Sequence, residues 1–426
     1  MSINKTERTA INFVVCITAG LLIISCLARK EESTTLATGI WRATLTLQEQ
    51  ELPFHLDITR NGSDGYTAYL RNAGEKLLLD EISVSGDSVN ISLHVFDANI
   101  KARISGDELD GLFIKNYEKD YKVPFHATLG DTFLFKKGDP NAAVPDYSGT
   151  YAVKFVHEKD TTPAIGVIHQ FKDSVTATFL TPTGDYRYIG GTITDGVLKM
   201  STFDGNHSYI FYANKQADGT LSGEYYSGKT WKETWTGVKN DHPIMPDAEK
   251  LTYLKPGFER IEFSFPDVNG NKVSLSDERY KNQVVILQIF GTWCPNCMDE
   301  TRFLGPWYEQ NKDRGVKIIG LAYERKDDFA YASERVKKMV QKFDVHYDFV
   351  IAGTNDKAKA SETLPMLNKI FAFPTTIFIG KDGKVRKIHT GFSGPGTGKY
   401  FDQYVQQFNE TVNELLSDKV LASVKN

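Results

Sequence analysis

Along the chain, apolar and polar positions alternate with two different periods, and the change falls near residue 240. From Gly39 to about Asn240, stretches such as "WRATLTL", "FHLDITR", "VNISLHVF" and "YRYIGGTI" alternate with a period of two. That period sends successive side chains to opposite faces of an extended chain, so these read as half-buried strands. The groups "NGSDG", "SGD" and "DG" break them with turn chemistry, and no amphipathic helix is legible in this half. The half also repeats itself at an offset of about 110 residues, a length that suits a small β unit. "GIWRATLTL" at Gly39 parallels "GTYAVKFV" at Gly149, and "SGDELDGLFIK" parallels "ADGTLSGEYYS". With "KKGDPNAAVPDYS" as connector, the pattern predicts two repeated antiparallel β sandwiches or barrels over residues 39–138 and 145–240. One larger sheet assembly is the fallback.

A linker at 241–256 leads into a different rhythm. "FSFPDVNGNKVSLSDE" predicts a hairpin around an Asn-Gly turn, and "VVILQIF" from Val284 is a continuous apolar run, as in a strand buried on both faces. Helical periodicity follows at about 297–312, 328–343, 357–371 and 400–416. Between these segments lie the strands "VKIIGLAY", "YDFVIAG", "TTIFIG" and "KVRKIHTGF". Strands alternating with helices predict an α/β layer fold over residues 257–420, its sheet covered on both sides.

The first residues add an address. Lys5 and Arg8 precede "AINFVVCITAGLLII", the layout of a secretory signal over residues 1–25. Ile23-Ile24-Ser25-Cys26 resembles a bacterial lipobox, which predicts lipidation of Cys26 and a tether over 26–38. The competing reading is an uncleaved anchor from Thr9 to Ala28. Both place the body in the cell envelope, anchored to a membrane and facing the periplasm or cell surface. A net charge of −4 gives no reason to expect nucleic acid as a partner. Of four cysteines, Cys16 would leave with the signal and Cys26 would carry lipid, so Cys294 and Cys297 remain as the thiols of the folded body.

Their spacing selects among chemistries. Structural zinc needs four ligands, and the mature body offers two thiols. The haem-attachment pattern wants His at 298, where Met298 stands. A redox pair fits: two intervening residues at a helix start let the sulfurs close a disulfide. Pro295 suits the first helical turn, where its missing donor costs nothing. Cys294, at the strand-to-helix junction, meets unpaired amides that favour a thiolate, the attacking species. Cys297, a turn deeper, is expected to resolve the mixed disulfide, with Cys294 open to solvent.

The stretch "FGTWCPNC" looks like the active-site loop of thioredoxin-fold proteins. With the lead-in "FSFPDVNGNKVSLSDE…NQVVILQIFGTWC" it resembles the TlpA/ResA-like thiol:disulfide oxidoreductases of the bacterial cell envelope, over residues 257 to about 420. The resemblance implies that Cys294 and Cys297 are the catalytic redox disulfide. It places Phe373-Pro374-Thr375 where the family keeps a cis-proline facing that disulfide, so Phe373 would pair with an extended substrate strand. It places Glu300 as a carboxylate near the thiols that shuttles the Cys297 proton, and Trp293 as the tryptophan shielding the site. Gln288 departs from thioredoxin itself, which has a buried aspartate there. Pro295-Asn296 lacks the histidine of strongly oxidising relatives, which argues against extreme oxidising power. Gly305-Pro306 is expected to kink the active-site helix.

The favoured function is therefore a membrane-anchored thiol:disulfide oxidoreductase, a reductase of exported protein disulfides regenerated by a membrane electron donor and needing no cofactor. A peroxidase ranks below it, because Gly291 stands where a Thr or Ser is wanted. The alternative of another class is an envelope binding protein whose β domains capture a ligand and whose thiols bind copper or serve assembly. The β half otherwise reads as a spacer or docking module. "GFSGPGTGK" lacks P-loop spacing, and His346 and His389 read as structural.

Overall fold

The computed structural model describes residues 35–62 and 65–417. The expected signal peptide, Cys26 and most of the expected tether lie outside the described residues.

The all-β half folds as two antiparallel meanders. The first runs from Gly39 to Leu129 as a nine-stranded sheet whose first and last strands, Gly39–Leu47 and Lys122–Leu129, pair with each other. The sheet therefore curls into a barrel-like module, left open between strands Glu75–Leu79 and Ile82–Ser85. The second, from Gly149 to Lys239, repeats the device: Gly149–His157 pairs with Trp231–Lys239. It also closes, because Asp160–Phe171 pairs with both Gly149–His157 and Ser174–Thr181. Closure removes the unpaired strand edges that an open sheet leaves to solvent. Inside the second module, Phe155, Phe179, Phe211, Tyr225 and Trp235 fill the space, with Phe211 and Tyr225 stacked at 4.6 Å between ring centroids. The interior is aromatic core rather than a ligand chamber.

The modules share a core. Phe203 of the second is fully buried in the first module's cluster, 4.7 Å from the Phe54 ring and 5.0 Å from that of Phe113. Asn72 fixes the register across the junction: its amide donates to Phe203 O at 2.7 Å and its oxygen accepts from Phe203 N at 3.1 Å.

The C-terminal half has the expected thioredoxin-like fold. A short hairpin, Ser264–Pro266 and Lys272–Ser274, precedes a five-stranded sheet. In chain order its elements are β1 (Val284–Phe290), α1 (Pro295–Asn311), β2 (Val316–Glu324), α2 (Phe329–Phe343) and β3 (Asp348–Thr354). There follow α3 (Lys357–Thr363), β4 (Thr375–Ile379), β5 (Val385–Thr390) and α4 (Lys399–Ser417). The strand order is β3-β2-β1-β4-β5, with β1, β2 and β3 parallel and β4 and β5 antiparallel to their neighbours. Every residue of β1 is buried, as its unbroken apolar run requires of a central strand.

One expectation changes. The helix predicted over 357–371 ends at Thr363, because Pro365 disfavours the helical backbone at Leu364 and cannot itself donate. The active-site helix carries Pro306 within its length and ends at Asn311.

The first β module also sits on the C-terminal domain. Val95 and Phe96 join its hydrophobic cluster, and α2 holds the module through Lys338 to Glu81 at 2.7 Å and Tyr331 to Asp97 at 3.1 Å.

Truncation at the module junction tests this shared core. Phe203→Ala is expected to cost about 3–5 kcal/mol, since the cavity would open among packed rings. The check is the urea midpoint of the full chain, which falls. An unchanged midpoint would mean that the junction contributes no packing energy.

Candidate active site

Cys294 and Cys297 meet where β1 hands over to α1. They are disulfide-bonded with their Cα atoms 5.2 Å apart, within the usual span. Cys294 is the N-cap of α1 and Pro295 its first residue; the Cys297 amide donates to Cys294 Sγ at 3.2 Å. A sulfur held there faces the positive end of the helix dipole, which favours negative charge on it. The sulfur also lies 3.5 Å from the carbonyl oxygen of Phe373. The Phe373–Pro374 peptide is cis, and the Phe373 carbonyl sets the loop before β4 opposite the start of α1.

The other residues named from the sequence fall around this pair. Trp293 is half-buried; its indole donates to Tyr323 O at 2.8 Å and meets the Phe373 ring edge-on at 5.5 Å. Thr375 is buried and its hydroxyl turns back onto Ala372 O at 2.8 Å. Glu300 lies one turn beyond Cys297, fully buried. Its carboxylate accepts from Thr376 at 2.6 Å, Gln288 at 2.9 Å and Tyr404 at 3.1 Å. Burial pushes this carboxyl up to about 6, and the three donors only partly offset it. Gln288 joins Glu300 to the thiol turn, since the same amide nitrogen lies 3.5 Å from Cys297 O. His346 is exposed and paired with Glu309 and Asp344, while His389 is half-buried, against the Tyr404 ring, and pushed down to about 4 by desolvation and Lys387.

One expectation is corrected. Cys294 is only 5 % exposed and Cys297 not at all, so the attacking sulfur is not open to solvent. The second β module is the reason. Asn296, between the cysteines, donates its side-chain amide to Asp185 O at 2.9 Å, and the Gly394 amide donates to Asp185 Oδ2 at 2.6 Å. Arg187 grips Asp299 of α1 with Nε at 2.7 Å and Nη2 at 3.0 Å, and also binds Asp204 at 3.1 Å and Glu75. Burial opposes the guanidinium charge, but the Asp299, Glu75 and Asp204 carboxylates outweigh it and hold the group firmly protonated. Asp185 is raised to about 6 by burial, with the Gly394 amide pulling the other way. On the far side, Arg325 lies between Tyr117 of the first module, 3.8 Å from its ring centre, and Trp293 at 5.0 Å.

Sequence reasoning missed Arg187, Asp185 and Asp299, and the Glu300 partners Thr376 and Tyr404. The only local signals were an arginine amid the aromatic strand text "GDYRYIGG" and a second acid beside Glu300.

Taken together, a dithiol–disulfide pair at a helix start, a facing cis-proline and an α/β sheet define a thioredoxin-fold redox protein. Residues 245–404 match the family described as Redoxin. The thiol-disulfide oxidoreductase ResA of Bacillus cereus is 30% identical over 139 residues, covering 33% of this chain and 70% of that protein. ResA of Bacillus thuringiensis subsp. konkukian is 28% identical over 154 residues, 36% of this chain and 79% of its own. Among solved structures, a thiol:disulfide interchange protein of the thioredoxin family from Chlorobium tepidum shares 22% identity. It covers 37% of this chain and 95% of its own, with a TM-score of 0.29. The chain belongs to the ResA-like thiol-disulfide oxidoreductases.

The Glu300 environment gives a signed pH effect. A carboxyl raised in the fold binds its proton more tightly there than in the unfolded chain. Its contribution is full below the unfolded value of 4.5 and is lost as pH rises through about 6. Relative to Glu300→Gln, the wild-type protein should lose about 2 kcal/mol of unfolding free energy across that window. Parallel stability curves for the two proteins would contradict the assignment.

Proposed function

We propose that the protein is a membrane-anchored reductase of disulfides in exported proteins, working through the Cys294-Pro295-Asn296-Cys297 pair. The observation that carries the chemistry is the Cys294 sulfur at the N-cap of α1, accepting the Cys297 amide and facing the Phe373 carbonyl. In the reduced form, the Cys294 thiolate attacks one sulfur of a client disulfide. The client S–S bond breaks, its leaving sulfur takes up a proton, and a Cys294–client mixed disulfide remains. Cys297 then loses its proton, with Glu300 as the buried base, and attacks Cys294. The second client thiolate leaves and is protonated, and the Cys294–Cys297 disulfide forms. Two electrons and two protons pass from the dithiol to the client.

Trp293 and Phe373 wall the reacting sulfur, and the backbone of Phe373-Pro374-Thr375 supplies the edge along which an extended client segment lies. The dithiol is restored by a dithiol of a membrane-borne electron donor. The lipobox-like Ile23-Ile24-Ser25-Cys26 supports lipid anchoring at Cys26 and a location in the cell envelope. A ligand-capturing role for the second module is disfavoured by its aromatic interior.

Insulin reduction driven by dithiothreitol tests the chemistry. Cys294→Ala should abolish turnover, and Cys297→Ala should accumulate a mixed disulfide that a reductant releases. Turnover that survives Cys294→Ala would rule out the proposed nucleophile. Metabolic labelling with a fatty acid tests the anchor: Cys26→Ala should lose the label, and equal labelling of both proteins would move the anchor elsewhere.

A further inference from the structure

The β region does not merely precede the thiol site; it covers the face a client must reach. Segment Pro182–Arg187 of the second module lies against both walls of that face. On one side, Asp185 O accepts from Asn296 and a Cβ on Gly184 would stand 3.3 Å from the Asn296 side chain. On the other, the Asp185 carboxylate accepts the Gly394 amide, and a Cβ on Gly391 would stand 3.3 Å from Gly184 N and 3.5 Å from Pro182 O. Both glycines have positive φ, 135° at Gly184 and 82° at Gly391, so close approach and backbone conformation alike call for glycine. A client strand beside Phe373 needs roughly 4.8 Å of lateral room. With Cys294 5 % exposed, that room is not there.

We propose that Pro182–Arg187 is a built-in cap over the thiol site and that Arg187 is its latch, so that a protein disulfide reaches Cys294 only when the cap lifts from α1. The proposal rests on the thiol-exchange reading above and adds to it a control on which clients are served. The latch is built to part without stranding a charge. Arg187 draws carboxylates from three places: Glu75 of the first module, Asp204 of the second and Asp299 of α1. When the cap lifts, Arg187 keeps Glu75 and Asp204, while Asp299 keeps Arg302, which donates to it at 2.9 Å. Asp299 and Asn296 also regain water, which repays part of the loss. Leaving a buried ion wholly unpaired would instead be strongly destabilising. The segment's other hydrogen bonds across this face join Asn296 and Gly394, groups that water solvates well, beside the close backbone approach at Gly391. A closed state of this kind lowers the apparent client rate by the fraction of molecules that are open.

The test compares insulin reduction by the full-length wild type, Arg187→Met and Asp299→Asn, with dithiothreitol as terminal reductant. Freeing the cap should raise the insulin rate about tenfold in both variants. A clamp that only supports the site predicts a lower rate. Asp299→Asn leaves Arg187 paired with Glu75 and Asp204, so it decides the matter if Arg187→Met does not fold. An unchanged or reduced rate in a cooperatively melting Asp299→Asn protein overturns the cap. If wild type and Cys294→Ala are equally inert toward both dithiothreitol and insulin, the thiol-exchange reading itself fails, and the cap falls with it.

Discussion

A single guanidinium, buried where three bodies meet, sets the arrangement of this molecule. Arg187 is 3 % exposed and surrounded by Glu75, Asp204 and Asp299. One buried cation among carboxylates from separate segments is costly to desolvate, and it is tolerated only when the geometry satisfies several of its donors at once. That requirement ties the second module, the first module and the start of α1 into one register. His94 extends the set from the first module. Burial and Arg302 push it down to about 3, so it is neutral, its Nδ1 donating to Leu78 O and its Nε2 accepting from Arg302.

Because Asp299 is two residues past Cys297, the latch and the chemistry share one helical turn. The outward side of that turn faces Arg187, and the inward side presents Glu300 to Gln288, Thr376 and Tyr404. These are two carboxylates with opposite surroundings. Asp299 is ion-paired, whereas Glu300 meets only neutral donors and is raised to about 6. A group of that kind can hold or release a proton near neutrality, which suits the resolving step at Cys297. A substitution in this turn therefore affects access to the disulfide, proton handling behind it, or both.

How legible the molecule is from its sequence depends on the range over which each feature is determined. The redox pair was legible because a Cys-Pro-Asn-Cys run after "VVILQIF" determines strand, cap and helix start within a few residues. The α/β layering of residues 257–420 followed from periodicity, its thioredoxin-like identity from the resemblance carried by "FGTWCPNC", and the antiparallel character of residues 39–240 from strand alternation. Helix α3 was overextended because its apolar spacing continues past Leu364-Pro365, where proline chemistry overrides the pattern. Barrel closure was not legible, since alternation reports which face is buried and not whether first and last strands meet. The covering of Cys294 was least accessible: Arg187 and Asp299 are 112 residues apart, and no local rule pairs them.

The Gly394 amide reports most directly on the latched state, because its hydrogen-bond acceptor is the Asp185 carboxylate of the cap. Site-resolved hydrogen exchange on the oxidised full chain is therefore the decisive measurement. The account predicts that Gly394 exchanges slowly in the wild type and loses protection in Asp299→Asn, with the Phe155 and Phe211 strand amides unaffected. Exchange of Gly394 at the rate of an unstructured amide in the wild type, or equal protection in both proteins, would contradict it.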